Sequence, residues 1–186
     1  MASIPYNIWY DETYDAIFEM ANWEELSADI PKKAVCIYSW MPHSLMSTRH
    51  VGGRPKWSCV SLNDVESATL KVSKDFSEVS TLTLQEANIK DCENIIHKIL
   101  TALIPLFGTV ATSKYLHFSA PKFFPMWDRN IRISRGHDDT VDGYIEYMQA
   151  FKEDLEVPSK LHAALTLYPE NPVRGWDMAN MRGRVT

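Results

Sequence analysis

The sequence predicts a mostly α-helical protein, arranged as one domain or as two small helical lobes around a cleft. Its 186 residues suit a fold of that size. Hydrophobic residues make up 45% of the chain and charged residues 23%, proportions typical of a globular protein with a buried core. Apolar residues recur at helical spacing in several segments, whereas the strand content is doubtful.

The N-terminal part contains one clear helix and several ambiguous segments. The clear helix has acidic residues in its first turn and an apolar stripe of Tyr14, Ile17, Phe18 and Ala21. Residues 32–42 fit either a buried helix or a strand that ends at Pro42. We predict a loop over residues 47–57 because they contain Gly-Gly and Arg-Pro. Residues 62–88 fit either an extended segment or a helix followed by a loop.

Residues 91–120 predict two helices joined by a very short turn. The first helix, residues 91–106, has an apolar stripe formed by Ile95, Ile96, Ile99, Leu100, Leu103 and Ile104. Pro105 bends or closes this helix, and Gly108 can adopt the positive φ that such a turn requires. The second helix is expected over residues 111–119. Together they form a helical hairpin centred on Gly108.

The C-terminal part predicts three further helices and an irregular tail. A short basic helix begins after Asp128 and is closed by Gly136. The next helix spans residues 141–156, with Asp138 or Thr140 as its cap. Another is expected over residues 159–168, with Ser159 as its N-cap. The tail from residue 171 is expected to be irregular. One single domain is predicted, with residues 1–60 plus the tail as one possible lobe and residues 90–168 as the other.

The charge pattern is uneven. The net charge of −5 by itself counts against nucleic-acid binding. Residues 108–135, however, contain five basic residues and one acid, Asp128. A local basic patch on an acidic protein can still bind phosphate, and it can equally be an ordinary solvated face.

Several classes of protein are disfavoured. The three cysteines are widely spaced, so we expect neither a disulfide framework nor a metal or cofactor site. The most apolar window, residues 95–108, contains His97 and Lys98 and is too short to span a bilayer. We expect a cytoplasmic protein without a signal peptide or a membrane partner. No Ser-His-Asp order, Walker loop or dinucleotide glycine motif is present. The residues do not indicate an oligomeric state.

Asp128 is the most unusual acidic residue. It follows the apolar run FFPMW and precedes the basic segment RNIR. One interpretation is a helix N-cap, because an acid directly before a helix commonly has that role. The other interpretation is a carboxylate that faces a ligand pocket. The two interpretations are compatible, since a cap can also line a cleft.

Residues 106–131, LFGTVATSKYLHFSAPKFFPMWDRNI, resemble the signature of the helix-hairpin-helix DNA glycosylases of base-excision repair. The resemblance implies a mostly α, two-lobed fold and an enzyme that flips a damaged or modified base out of the duplex. Asp128 would then stabilise the positive charge that develops on the sugar and would direct a water molecule. Phe123 and Phe124 would keep the site dry.

The resemblance also implies the contacts with DNA. Backbone phosphate would be held by Gly108, Thr109, Thr112, Lys114 and Arg132, and the base pocket would contain Trp127 and Trp40. Bifunctional relatives form a Schiff base through a lysine at the position of Thr112. Lys114 lies about 200° further around the helix, so we expect it to point elsewhere. The resemblance therefore implies a monofunctional enzyme without strand cleavage.

Other interpretations stay open. The same scaffold can be a non-catalytic helical binding module, which the negative net charge favours, and an unrelated small-molecule enzyme is a third alternative. Trp127 can be a core residue rather than a base-stacking one. His117 is expected to be a buried histidine that donates to a backbone carbonyl, with proton transfer as the alternative.

Overall fold

The computed structural model describes residues 9–41, 46–51 and 54–182. It is mostly helical, as the sequence predicts. Within these ranges the elements are, in chain order, α1 (Trp9–Glu12), α2 (Tyr14–Met20), α3 (Ile30–Trp40), β1 (Met46–Val51), β2 (Arg54–Cys59), α4 (Leu62–Val79), α5 (Ile89–Phe107), α6 (Thr109–Ser119), α7 (Arg129–Arg135), α8 (Val141–Glu156), α9 (Pro158–Leu167) and α10 (Pro172–Arg182).

The loop predicted over residues 47–57 is wrong. β1 and β2 form an antiparallel pair there, with Val51 opposite Arg54 and Met46 opposite Cys59. Gly-Gly between two runs of strand-forming residues is also a hairpin signal, and our prediction gave it too little weight. Pro42 and residues 52–53 lie outside the described residues.

Both ambiguous segments contain helices. Residues 33–40 belong to α3, and most of residues 62–88 belong to α4. α4 begins at the N-cap Ser61, which accepts a hydrogen bond from the backbone N–H of Asp64. Its buried side chains recur every three to four residues, at Val65, Thr69, Val72, Phe76 and Val79. This helical period outweighs the strand propensity of the many Val and Thr residues.

Two expectations about the C-terminal part are also wrong. The tail forms α10, because the Asn171 side chain accepts hydrogen bonds from the backbone N–H groups of Val173 and Arg174. Pro172 then occupies the first helical position, where its missing N–H costs nothing. Ser159 is not an N-cap; α9 begins one residue earlier, at Pro158. The cap of α8 is Thr140, one of the two candidates.

The hairpin turn at Gly108 agrees with the prediction. α5 continues past Pro105 to Phe107, and Gly108 alone separates it from α6. Gly108 has φ 75° and ψ 163°, a conformation that is essentially restricted to glycine. Its backbone N–H donates to the carbonyl of Ile104 at 2.8 Å. Gly136 closes α7 with φ 74°, also as predicted.

α6 is the central helix of the core and positions the candidate site. Every residue from Ala111 to Ser119 is buried, and the helix packs against α3 and α5. The polar side chains on α6 therefore lie inside the protein whichever way they point. Five of them share this burial, namely Thr112, Ser113, Lys114, His117 and Ser119.

Candidate functional site

Asp128 is the N-cap of α7. Its Oδ1 atom accepts hydrogen bonds from the backbone N–H groups of Asn130 at 2.7 Å and Ile131 at 3.3 Å. The short helix that follows therefore fixes the orientation of this carboxyl group. The cap interpretation of Asp128 is confirmed.

Asp128 also lines an enclosed cavity between α1, α3, α6, α7 and α10. The other residues around this cavity are Tyr10, Trp40, Lys114, Met126, Ile131, Arg174, Asp177 and Met181. Its free volume of about 20 Å³ is room for roughly one water molecule. The cap thus faces a small, water-poor space, which we call the Asp128 cavity.

Lys114 points into the Asp128 cavity, contrary to the expectation that it points elsewhere. The residue is only 7% exposed, so it cannot serve as a surface phosphate contact. Its Nζ atom lies 4.7 Å from the ring centroid of Tyr10 and 5.5 Å from that of Trp40. Burial lowers the pKa of Lys114 to about 8, and the negative charge of Asp128 opposes part of that shift.

Asp177 is a second carboxyl group in the same cavity. It lies on α10 and is 1% exposed. Its Oδ2 atom accepts a hydrogen bond from the backbone N–H of Met126 at 3.1 Å, whereas Oδ1 has no hydrogen-bond partner among the described residues. Burial raises the pKa of Asp177 to about 7, even though Arg174 and Lys114 favour its charged form.

A buried polar network lies next to the Asp128 cavity. Arg174 is 2% exposed and lies 2.6 Å from the carboxylate of Asp11. Its guanidinium carbon lies 4.2 Å from the ring centroid of Tyr14. The Tyr14 hydroxyl in turn lies 2.7 Å from Nε2 of His117. The network therefore connects α1, α2, α6 and α10 around the cavity.

His117 is held in one tautomer. Its Nδ1 atom lies 2.7 Å from the carbonyl oxygen of Phe124, which can only accept a hydrogen bond. Nδ1 therefore carries the proton, and Nε2 accepts from the Tyr14 hydroxyl. Complete burial lowers the pKa of His117 to about 3, so the neutral ring persists over the ordinary pH range. The prediction of a buried histidine that donates to a carbonyl is confirmed.

The two predicted base-pocket tryptophans lie in different places. Trp40 lines the Asp128 cavity and donates through Nε1 to Thr13 Oγ1 at 2.9 Å. Trp127 instead is fully buried in the core, where it stacks on Tyr144 and Tyr147 with centroid distances of 5.1 and 5.5 Å. The assignment of Trp127 to the pocket is therefore corrected, because successive side chains of the extended segment before α7 point to opposite sides.

The residues predicted to contact phosphate also lie in different places. Gly108 and Thr109 line an open cleft of about 380 Å³ at the hairpin, which shares no lining residue with the Asp128 cavity. We call it the hairpin cleft. Thr112 is fully buried and cannot reach a phosphate from this position, so its assignment is corrected. Among the predicted phosphate contacts on the hairpin, those at its turn are therefore the ones that reach an accessible surface.

An acid lies at the hairpin cleft. Asp139 is among the lining residues and accepts a hydrogen bond from the Thr109 hydroxyl. It also forms an ion pair with Arg132 at 3.6 Å, with 55% of the Asp139 side chain exposed. The cationic and hydroxyl groups expected to bind phosphate are therefore already in contact with a carboxylate.

Sequence reasoning missed three residues of the cavity: Tyr10, Arg174 and Asp177. A signal was present in the tail NPVRGWDMANM, where Asn-Pro predicts a helix start. On such a helix Arg174 and Asp177 are three residues apart and share one face. No local pattern, however, indicated that this face packs against Asp128.

Comparison of the chain with family models, with curated proteins and with solved structures returned no match. Within the described residues, none of the helices has the length and apolar character needed to cross a membrane. The part of the chain described here also contains no group of three His, Cys, Asp or Glu side chains arranged to hold a metal ion.

Proposed function

We propose that this protein has a helix-hairpin-helix DNA-glycosylase-like fold and removes a damaged or modified base from DNA. One observation carries the proposal: the Asp128 carboxyl group is fixed by backbone N–H groups at the edge of a dry, aromatic-lined cavity. Cleavage of a glycosidic bond develops positive charge on the sugar. A pre-oriented carboxylate in a water-poor space stabilises such charge more strongly than one in bulk water.

The proposal gives Asp128 two tasks. Its carboxylate stabilises the sugar cation and orients the attacking water. Its neighbours in the cavity, Tyr10 and Trp40, provide aromatic faces on which a flipped base can stack. A base is much larger than the free volume of the cavity, so base entry requires the rim side chains of Tyr10 and Met181 to move aside.

We propose a monofunctional reaction, without strand cleavage. Bifunctional relatives attack the sugar through a lysine at the position of Thr112, and Lys114 lies two residues further along α6. Lys114 instead acts as a buried cation beside Asp128, held over the rings of Tyr10 and Trp40.

A panel of duplexes, each with one damaged or modified base, tests the proposal. After incubation, alkaline treatment cleaves the strand wherever a base has been released. We expect release of one class of base by the wild type and none by Asp128→Asn, which retains capping ability because Asn is an equally good N-cap. Borohydride should trap no covalent complex. Absence of release across the panel would overturn the proposal.

A non-catalytic binding module is the second candidate. Two observations favour it: the cavity is nearly filled by side chains, and Asp139 lies at the hairpin where phosphate would bind. This alternative predicts a partner other than duplex DNA. Titration of a fluorescent duplex at 20 and 200 mM salt distinguishes the two, because phosphate binding weakens steeply with salt. Binding to duplex DNA at low salt would exclude this candidate.

A further inference from the structure

The second carboxyl group of the Asp128 cavity has a free hydrogen-bonding atom. Asp177 is 1% exposed and lines the cavity together with Asp128. The backbone N–H of Met126 uses Oδ2, and Oδ1 has no hydrogen-bond partner among the residues that the structure describes. An unpartnered polar atom at such depth is costly for the fold, and a ligand that hydrogen-bonds to it would remove that cost.

We propose that Asp177 is the general acid of base removal: its carboxyl group donates a proton to the departing base while Asp128 stabilises the sugar. This inference rests on the proposed function and adds a residue to it. Asp128 and Asp177 reach the same cavity from different elements, and two carboxyl groups around one site form an arrangement suited to glycosidic bond cleavage.

The surroundings of the two carboxyl groups differ. Asp128 is half-buried, and its Oδ1 atom accepts two backbone hydrogen bonds. Asp177 is fully buried, and burial raises its pKa to about 7. The charged and titratable groups that interact electrostatically with Asp177 are Arg174 on its own helix and Lys114, Arg135, Tyr144 and Tyr14 on neighbouring elements, and Asp128 lines the same cavity. The three cations oppose the shift, but the desolvation penalty exceeds their effect.

In the proposed reaction a water molecule replaces the base at C1′. The bond between C1′ and the base nitrogen breaks, and its electron pair stays with the base. The O–H proton of Asp177 moves to the base, which leaves as a neutral molecule. The oxygen of a water molecule bonds to C1′ and releases one proton through Asp128 to solvent. Asp177 then regains a proton from solvent, so that the net reaction consumes one water molecule.

The charge of the leaving base distinguishes two possible roles of Asp177, general acid or residue that only supports the fold. A neutral purine needs a proton in order to leave, whereas an N-alkylated purine already carries a positive charge. Loss of a true proton donor therefore slows the release of neutral bases alone. A distorted cavity would slow both kinds equally.

The experiment measures single-turnover base release by the wild type and by Asp177→Asn, on duplexes with neutral and with cationic alkylated purines, between pH 5 and 9. We expect wild-type release of neutral bases to fall above about pH 7, because Asp177 then loses its proton. Asp177→Asn should release neutral bases about 10² to 10⁴-fold more slowly and lose this pH dependence. Release of cationic bases should change by less than about threefold.

Several results would overturn the inference. Equal loss on both kinds of base would make Asp177 a supporting residue, and unchanged release of neutral bases would exclude a role in catalysis. A wild type that releases cationic bases alone needs no general acid. If Asp177→Asn does not fold, the wild-type pH profiles decide by themselves, since a flat profile for neutral bases contradicts the inference. A wild type that releases no base from any duplex refutes the proposed function itself, which is a distinguishable result.

Discussion

The Asp128 cavity and the hairpin cleft lie along the same helix, α6, but their physical character is opposite. The cavity is enclosed, has about 20 Å³ of free volume, and contains Lys114, Arg174 and Asp177 almost completely removed from water. The cleft is open, has about 380 Å³ of free volume, and is lined by Asp139, whose half-exposed carboxylate forms an ion pair with Arg132. Charges interact strongly in the first environment and weakly in the second.

The proposed function gives different tasks to the two regions. The pKa values of Lys114, Asp177 and His117 are all shifted by burial around the cavity, and such shifts are typical of sites where chemistry occurs. The cleft has the backbone turn and the accessibility needed to hold another molecule. The resemblance to glycosylases implies that the catalytic acid and the phosphate contacts form one continuous site. In the structure the enclosed Asp128 cavity and the open hairpin cleft are separate.

Removing one arginine from each region should have very different effects on stability. Arg174→Met removes a buried cation that lies 2.6 Å from Asp11, and we expect the free energy of unfolding to fall by about 2–4 kcal/mol. The matched variant Arg132→Met removes a longer ion pair, 3.6 Å, whose carboxylate is half-exposed, and should cost about 1 kcal/mol or less. Urea denaturation followed by circular dichroism measures both. Equal losses would contradict the contrast between the two regions.

The pH dependence of stability should reveal two opposing groups near the cavity. His117 has a folded-state pKa of about 3, below its usual 6.5, so its contribution to stability is lost as the pH falls from about 6.5 toward 3. Asp177 has a folded-state pKa of about 7, above its usual 3.8. Its contribution therefore makes the folded protein more stable as the pH falls from about 7 toward 3.8. The two contributions nearly cancel in the wild type.

Asp177→Asn removes the contribution of Asp177 to the pH dependence of stability. Between pH 7 and pH 4 we expect the variant to lose about 3 kcal/mol more stability than the wild type, because the effect of His117 is no longer offset. Urea denaturation at several pH values provides the measurement. Parallel stability curves for the two proteins would show that Asp177 has no raised pKa.

A side chain at position 108, in the turn of the hairpin, should lower the stability of the protein. Gly108 combines φ 75° with ψ 163°, so Gly108→Ala should cost about 1–3 kcal/mol through backbone strain alone, since open space surrounds the added Cβ. Gly136→Ala is the matched control in the ordinary left-handed region and should cost about 1 kcal/mol. Thermal unfolding compares the two. A larger loss at Gly136 would contradict this account of the turn.

The smallest predicted effect is at the cleft. Asp139→Asn removes the carboxylate that contacts Thr109 and Arg132, and should strengthen binding of duplex DNA about two- to fivefold at low salt. Stability should change by less than about 0.5 kcal/mol. Fluorescence anisotropy measures the affinity, with Asp138→Asn as a control that changes the net charge equally. Equal gains in both variants would mean that only the net charge matters.

Much of the helical half was predictable because its signals are local. The apolar period of α5, the glycines at 108 and 136, and the capping roles of Asp128 and Thr140 each depend on a few neighbouring residues. The composition of the cavity was not predictable in this way. It depends on α1 and α10, from opposite ends of the chain, meeting at Asp128. The direction of Lys114 depends on the complete burial of α6, which the period of the helix itself does not indicate.

One assay tests the separation of chemistry from binding most directly. The affinity for duplex DNA and the single-turnover rate of base release are measured together for the wild type, Asp128→Asn and Asp139→Asn. We expect Asp128→Asn to bind DNA as well as the wild type but release base at least about 10³-fold more slowly. Asp139→Asn should bind more tightly and release base at the wild-type rate. Base release by Asp128→Asn within tenfold of the wild type would contradict the assignment of the reaction to the Asp128 cavity.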